Sequence, residues 1–174
     1  MEGRTRPERG KDVPAPVPED RKAAPHGTAL RVRYAETDAM GIAHHSVYYV
    51  WFEAARTEFC RDLGVPYSEW ERKGIFLPVI ETRCRHKAPL RYDEELIVQT
   101  RVADLDARSV TFGYRVLRAS DGRLCAEGST RHGFCGPDGR LLRGENEMGR
   151  WLAERASGGE RGKEEGGSGC GGSC

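Results

Sequence analysis

The sequence predicts an α+β fold, one long helix packed on an antiparallel sheet, from three observations. A strongly apolar helical stretch occupies residues 47–63. One alternating strand segment precedes it and several follow it. The later segments are joined by short turn signals such as Asp121-Gly122, which belong to hairpins rather than crossovers. Runs of strands after a single helix place that helix on one face of the sheet.

In order, residues 29–34 alternate, with Leu30, Val32 and Tyr34 on one face and Arg31 and Arg33 on the other, as in a half-buried strand. A turn at residues 36–41 follows, and Ser46 is placed to cap the next helix. In that helix Val47, Val50, Trp51 and Ala54 form one apolar stripe, and Tyr48, Phe52, Ala55, Phe59 and Leu63 a second. Only Glu53, Arg56, Thr57 and Arg61 remain as a polar strip, so burial on several sides is expected. Gly64 ends the helix. A short helix is expected at 68–73, closed by Gly74. Strands are expected at 76–87, 95–104, 109–118 and 124–134. A turn at Pro137-Asp138-Gly139 leads into Leu141-Leu142, and a last short helix is expected at 148–155.

The ends differ from this middle. Residues 1–28 are rich in Pro, Arg, Glu and Lys without periodicity, and residues 157–174 are rich in Gly, Ser, Glu and Lys. Such segments bury too little apolar area to offset ordering entropy, so both read as disordered tails around one domain at 29–156. The formal net charge of +1 gives no global field toward nucleic acid or an anionic membrane. No apolar run is long enough to span a bilayer, and the N-terminus lacks the apolar core of a secretory signal, so the expected location is the cytoplasm. The six cysteines include no C-x-x-C pair. Cys60, Cys84, Cys125 and Cys135 read as reduced thiols inside helix and strand patterns, while Cys170 and Cys174 lie in the glycine-rich tail.

Chemistry concentrates at Asp38. A carboxylate just before a helix N-terminus meets free N–H groups and a favourable dipole. That suits an ionised general base or nucleophile, and the same N–H groups can stabilise a carbonyl oxygen as it gains charge. Gly41 lets the backbone approach a ligand closely. The competing reading of Asp38 is a plain turn or cap residue. Adjacent His44 and His45 do not read as a metal pair, because no third ligand stands at suitable spacing.

The run Tyr34-x-Glu36-Thr37-Asp38-Ala39-x-Gly41-x-x-x-His45-x-x-Tyr48, followed by Phe52-Glu53-x-Ala55-Arg56-x-Glu58, resembles the hotdog-fold acyl-CoA thioesterases. It most resembles the 4-hydroxybenzoyl-CoA thioesterase family and its YbgC-like branch, the one associated with the Tol-Pal cell-envelope system. The likeness runs from about Leu30 to Leu142, through the Pro89-Leu90-Arg91-Tyr92-Asp93 break. It implies a hotdog fold, a curved antiparallel sheet wrapped around the central helix. It implies two protomers sharing one continuous sheet with sites between them, and often a tetramer. It implies that Asp38 attacks the thioester or activates water, and that the backbone N–H of His45 polarises the carbonyl. No cofactor or metal is implied, since coenzyme A is part of the substrate. An acyl carrier protein is an alternative thioester carrier.

The same resemblance makes Arg108 and Arg143, with Arg140 nearby, candidates for the coenzyme A phosphates; the run Arg83-Cys84-Arg85-His86-Lys87 is an alternative. Tyr48 is a candidate pocket wall. The His45 side chain is a candidate to bind substrate or tune Asp38. Glu53 is a rival carboxylate, with pairing to Arg56 one turn on as its plainer reading. Two other functions fit the fold: a scaffold that binds acyl thioesters or envelope partners without turnover, and a dehydratase acting on acyl thioesters.

Overall fold

A computed structural model describes residues 26–156. Of the expected tails at 1–28 and 157–174, residues 1–25 and 157–174 lie outside the described residues. The elements are β1 (His26–Arg31), a 3-10 turn (Tyr34–Glu36), α1 (Val47–Asp62), α2 (Tyr67–Arg72), β2 (Val79–His86), β3 (Glu95–Leu105), β4 (Ser109–Arg118), β5 (Leu124–Gly133) and α3 (Glu147–Ala156). The strands form one antiparallel sheet in the order β1-β3-β4-β5-β2. Helix α1 lies across one face of this sheet, as in a hotdog fold.

The helix meets the sheet where the sheet has no side chain. Phe52 stacks face to face on Tyr114, with ring centroids 4.3 Å apart and planes 7° from parallel. Opposite Tyr114 on β5 is Gly128. A Cβ there would stand 2.5 Å from the Arg83 carbonyl oxygen and 2.7 Å from the Phe52 ring. Val47, Tyr48, Trp51, Ala55 and Phe59 bury the same face of α1 against Leu96, Val98, Phe112 and Val116. Positive-φ glycines end both helices as expected, Gly64 after α1 and Gly74 after α2.

A buried polar chain runs beneath the helix. His132 Nδ1 lies 3.0 Å from the Leu77 carbonyl, which can only accept, so Nδ1 carries the proton. Nε2 then accepts from the Thr130 hydroxyl at 2.8 Å, and that hydroxyl accepts from Tyr114 at 2.7 Å. Burial, helped by nearby Arg56 and opposed by the Leu77 hydrogen bond, pushes the His132 pKa down to about 4.

Several expectations require correction. β1 begins at His26, three residues before the expected domain boundary, because His26, Gly27 and Thr28 pair with Thr100, Gln99 and Val98. It also ends early. The chain turns into the 3-10 segment at Tyr34, so Tyr34 faces solvent instead of sharing the inner face with Val32. α1 is buried on one side only, leaving Tyr49 and Val50 exposed. Arg56, expected on the polar strip, is buried with its guanidinium over the Tyr67 ring at 4.8 Å. It makes no ion pair with Glu53, which is exposed. Ser46 supplies no side-chain cap, since its hydroxyl bonds the His44 ring at 2.8 Å. Leu141 joins Cys135 by an isolated bridge rather than a strand. Cys60, Cys84, Cys125 and Cys135 are free thiols, as expected.

Gly128→Ala is expected to lower unfolding stability by about 1–3 kcal/mol, the cost of overpacking, in a denaturant titration. The His132 shift sets a pH dependence. The folded pKa of about 4 lies below the ordinary 6.5, so the unfolded chain binds the proton more readily between them. Stability should therefore fall as pH drops from 6.5 toward 4, by roughly 3 kcal/mol in full. His132→Gln should remove that slope from urea midpoints measured across this range.

Candidate active site

The segment between β1 and α1 is held from beneath by a buried carboxylate. Glu36 accepts from the Arg33 backbone N–H at 2.9 Å and from its guanidinium at 2.6 and 2.9 Å. Its own carbonyl accepts the His44 N–H at 2.8 Å. On that base the chain forms a tight hairpin. Thr37 bridges Ala43, the Asp38 N–H reaches the Ile42 carbonyl at 2.9 Å, and the Gly41 N–H reaches the Asp38 carbonyl at 2.9 Å. Gly41 has φ +70°, the left-handed conformation that glycine adopts without strain. The hairpin docks on the segment after β2, through the Ala43 N–H to the Leu90 carbonyl at 2.7 Å and a bridge from Ile42 to Arg91.

Asp38 is half-buried in this hairpin. One carboxylate oxygen, Oδ1, accepts the Met40 N–H at 2.8 Å. The turn thereby fixes the side chain, and Oδ2 makes no hydrogen bond among the described residues. At the entry to α1, the Val47 N–H is taken by the His44 carbonyl at 3.0 Å and the Tyr49 N–H by the Ser46 carbonyl at 3.3 Å. The His45 N–H has no acceptor among the described residues. It is thus an open donor at the positive end of the helix dipole.

The side chains around this entry form a small cluster. The exposed His45 ring packs on His44 with centroids 4.0 Å apart. Tyr48 is buried between Trp51 and the edge-on ring of His86, at 4.8 and 4.5 Å. Burial, reinforced by Cys125 and Cys84, pushes the Tyr48 phenol up to about 12, so it stays protonated at neutral pH. Desolvation first, and then nearby His45, lower the pKa of His86.

Thus Asp38, Gly41, His45 and Tyr48 gather at one end of the sheet. Arg108 and Arg143 gather at the other, both flanking Phe134. The Phe134 N–H bonds the Arg108 carbonyl at 2.9 Å, and its carbonyl accepts from Leu142, next to Arg143, at 2.8 Å. Between the ends runs β3, whose 11 residues span about 35 Å of strand. An apolar cleft of ≈ 350 Å³, lined by Tyr67, Phe76, Leu77, Pro78, Gly136 and Pro137, also lies at this far end. The described residues include no helix long and apolar enough to cross a membrane. Two features went unread in the sequence: the buried Glu36 beneath the turn, and Arg91 beside it. Arg91 lay within the motif at residues 89–93, which carried the only available signal.

An antiparallel sheet gripping one helix, with an aspartate hairpin at the helix entry, defines a hotdog thioesterase. A family model described as "Thioesterase-like superfamily" matches residues 32–155, and the chain belongs to that superfamily. It is 39% identical over 103 residues to the "Putative acyl-CoA thioesterase YneP" of Bacillus subtilis, covering 59% of this chain and 74% of that one. It is 29% identical over 92 residues to the "Acyl-CoA thioester hydrolase YbgC" of Escherichia coli, covering 53% of this chain and 69% of that one. The crystal structure of hypothetical protein TT1821 from Thermus thermophilus superposes with a TM-score of 0.69 at 45% identity, covering 75% of this chain and 98% of that one. The resemblance read from the sequence therefore holds for family and fold.

Gly41→Val is expected to cost about 1–2 kcal/mol of stability, because a β-branched residue resists positive φ. Gly41→Asn should cost less, which paired thermal melts can check.

Proposed function

We propose that the protein is an acyl-CoA thioesterase, hydrolysing a coenzyme A thioester to free acid and coenzyme A. The observation that carries this reading is the pairing of an aspartate that has one oxygen fixed and one open with an unclaimed N–H at the start of α1. The His45 N–H would bind the thioester carbonyl and stabilise negative charge as that oxygen gains it. Asp38 would take a proton from water as the water oxygen bonds to the carbonyl carbon. Alternatively, the carboxylate would attack that carbon itself, giving an anhydride that water then opens. In either course the C–S bond breaks, the electron pair leaves on sulfur, and the thiolate takes a proton. Gly41 and Tyr48 would shape the space for the acyl group. The Tyr48 hydroxyl would serve only as a neutral group.

The working unit in this reading is a dimer joined through β2. Among the described residues this strand is a sheet edge, paired only with β5, and its Val79 and Ile80 side chains are more than half exposed. A free strand edge with apolar side chains is a template for a second strand. Antiparallel pairing of two β2 strands would lay the Val79 end of one copy beside the His86 end of the other. That would bring the partner's far-end cleft toward the Asp38 turn.

Thiol release from a panel of acyl-CoA thioesters tests the chemistry. Asp38→Asn should lose at least about a hundredfold in kcat, the scale of a lost acid–base group. Its fold should persist, because an asparagine oxygen can still accept from Met40. Unchanged turnover in that variant would remove Asp38 from the mechanism. Thr82→Pro, which blocks edge pairing, should yield monomers in sedimentation and lose turnover; active monomers would refute the dimer.

A further inference from the structure

A coenzyme A thioester held at Asp38 needs cations for its phosphates. Within one protomer Arg108 and Arg143 stand across the sheet, whereas another arginine is beside the turn. Arg91 pairs by its backbone with Ile42, whose carbonyl holds the Asp38 N–H. Asp38, Ile42 and Arg91 therefore lie side by side, about 10 Å from first to last at the usual strand spacing. The Arg91 Nη1 stands 4.0 Å from where a Cβ on Gly41 would be.

This guanidinium is not committed to the fold. The acids near it are engaged with other arginines: Glu36 with Arg33, Asp93 and Glu95 with Arg31, Glu94 with Arg118. The exposed Arg91 makes no ion pair among the described residues. Its backbone is pinned, with its N–H on the Glu94 carboxylate at 2.8 Å.

Next to it is an aromatic surface in water. Tyr34 and Tyr92 meet edge to face at 5.6 Å while 79% and 57% exposed. The exposed Met40 lies in the adjoining hairpin. The backbone beside Tyr92 is held by hydrogen bonds. Asp93 has φ 68°, an uncommon value for a residue other than glycine. It is held there by its N–H on the Val32 carbonyl at 3.0 Å and by Arg31 on its own carbonyl at 2.8 Å. An edge-to-face pair of exposed rings, one of them next in sequence to an arginine without an ion pair among the described residues, suits a nucleotide: flat base on ring, phosphate on arginine.

We propose that Arg91 and the Tyr34–Tyr92 pair form the subsite for the nucleotide end of the substrate, on the same protomer as Asp38. Arg91 binds a phosphate oxygen and the rings receive adenine. The subsite deepens the thioesterase reading, on which it rests, by making coenzyme A the thioester carrier in preference to an acyl carrier protein, which presents no adenine.

The test compares an acyl-CoA with the same acyl group on pantetheine, which lacks the nucleotide. Arg91→Ala should raise KM for the acyl-CoA about tenfold, the scale of one lost charge-assisted contact. It should leave KM for the pantetheine ester within about twofold. The Tyr34→Ala/Tyr92→Ala double variant should behave in the same way. An equal rise for both esters would overturn the subsite, because Arg91 would then be supporting the hairpin. An unchanged acyl-CoA KM in Arg91→Ala, with a rise in Arg108→Ala/Arg143→Ala, would overturn it in favour of the far end. If the unaltered protein turns over neither ester, the thioesterase reading falls on its own. Calorimetry with adenosine 3′,5′-bisphosphate then decides the subsite: binding weakened about tenfold in Arg91→Ala supports it, and equal or absent binding overturns it.

Discussion

One contact fixes the geometry of everything else: the Phe52 ring lying flat on Tyr114, over a strand position that carries no side chain. The missing Cβ at Gly128 lets the helix sit low enough for the Phe52 ring to lie on the sheet. Once α1 is seated there, its first turn lies level with the His86 end of β2, shown by the Tyr48–His86 contact. The helix entry, its open N–H and the aspartate hairpin are therefore placed by core packing. Short-range hydrogen bonds alone would form the hairpin but would not aim it.

The hairpin in turn depends on a buried charge. Glu36 is nearly inaccessible, and a carboxylate so placed is tolerable only when fully bonded. Arg33 supplies that from both backbone and side chain. Because the Arg33 side chain itself is largely exposed, the pair works as a clasp at the surface of the core. Above it, the Met40 N–H holds one carboxylate oxygen of Asp38 in place. The result is a carboxylate held in place before any ligand is present, the kind of preorganisation the proposed chemistry would draw on.

Much of this was legible beforehand. The bounds of β4 match the expected strand because alternation and flanking turn signals agree there. Gly64 and Gly74 were readable as stops because positive φ is a local property. The failures share one cause, that pattern reading assigns a residue's direction from its neighbours. Tyr34 broke phase because the 3-10 turn rotated it outward. Arg56 was placed with the charges, yet its long stem runs into the core and its head rests on Tyr67. Ser46 was read as a cap because its type suits one, although a histidine two residues back took its hydroxyl. Arg91 was unreadable as a neighbour of Asp38, because their proximity arises from a bridge between segments far apart in sequence.

The strand order has a kinetic consequence. β3, β4 and β5 follow one another as adjacent hairpins, whereas β1 and β2 reach their partners only by closing loops of dozens of residues. Loop closure is entropically slow, so the meander gains order first and the two outer strands arrive after it. The aspartate hairpin hangs between those latecomers, tied to β1 by the chain and to the segment after β2 by Leu90 and Arg91. On this topology the aspartate hairpin sets last, after the bulk of the core has condensed.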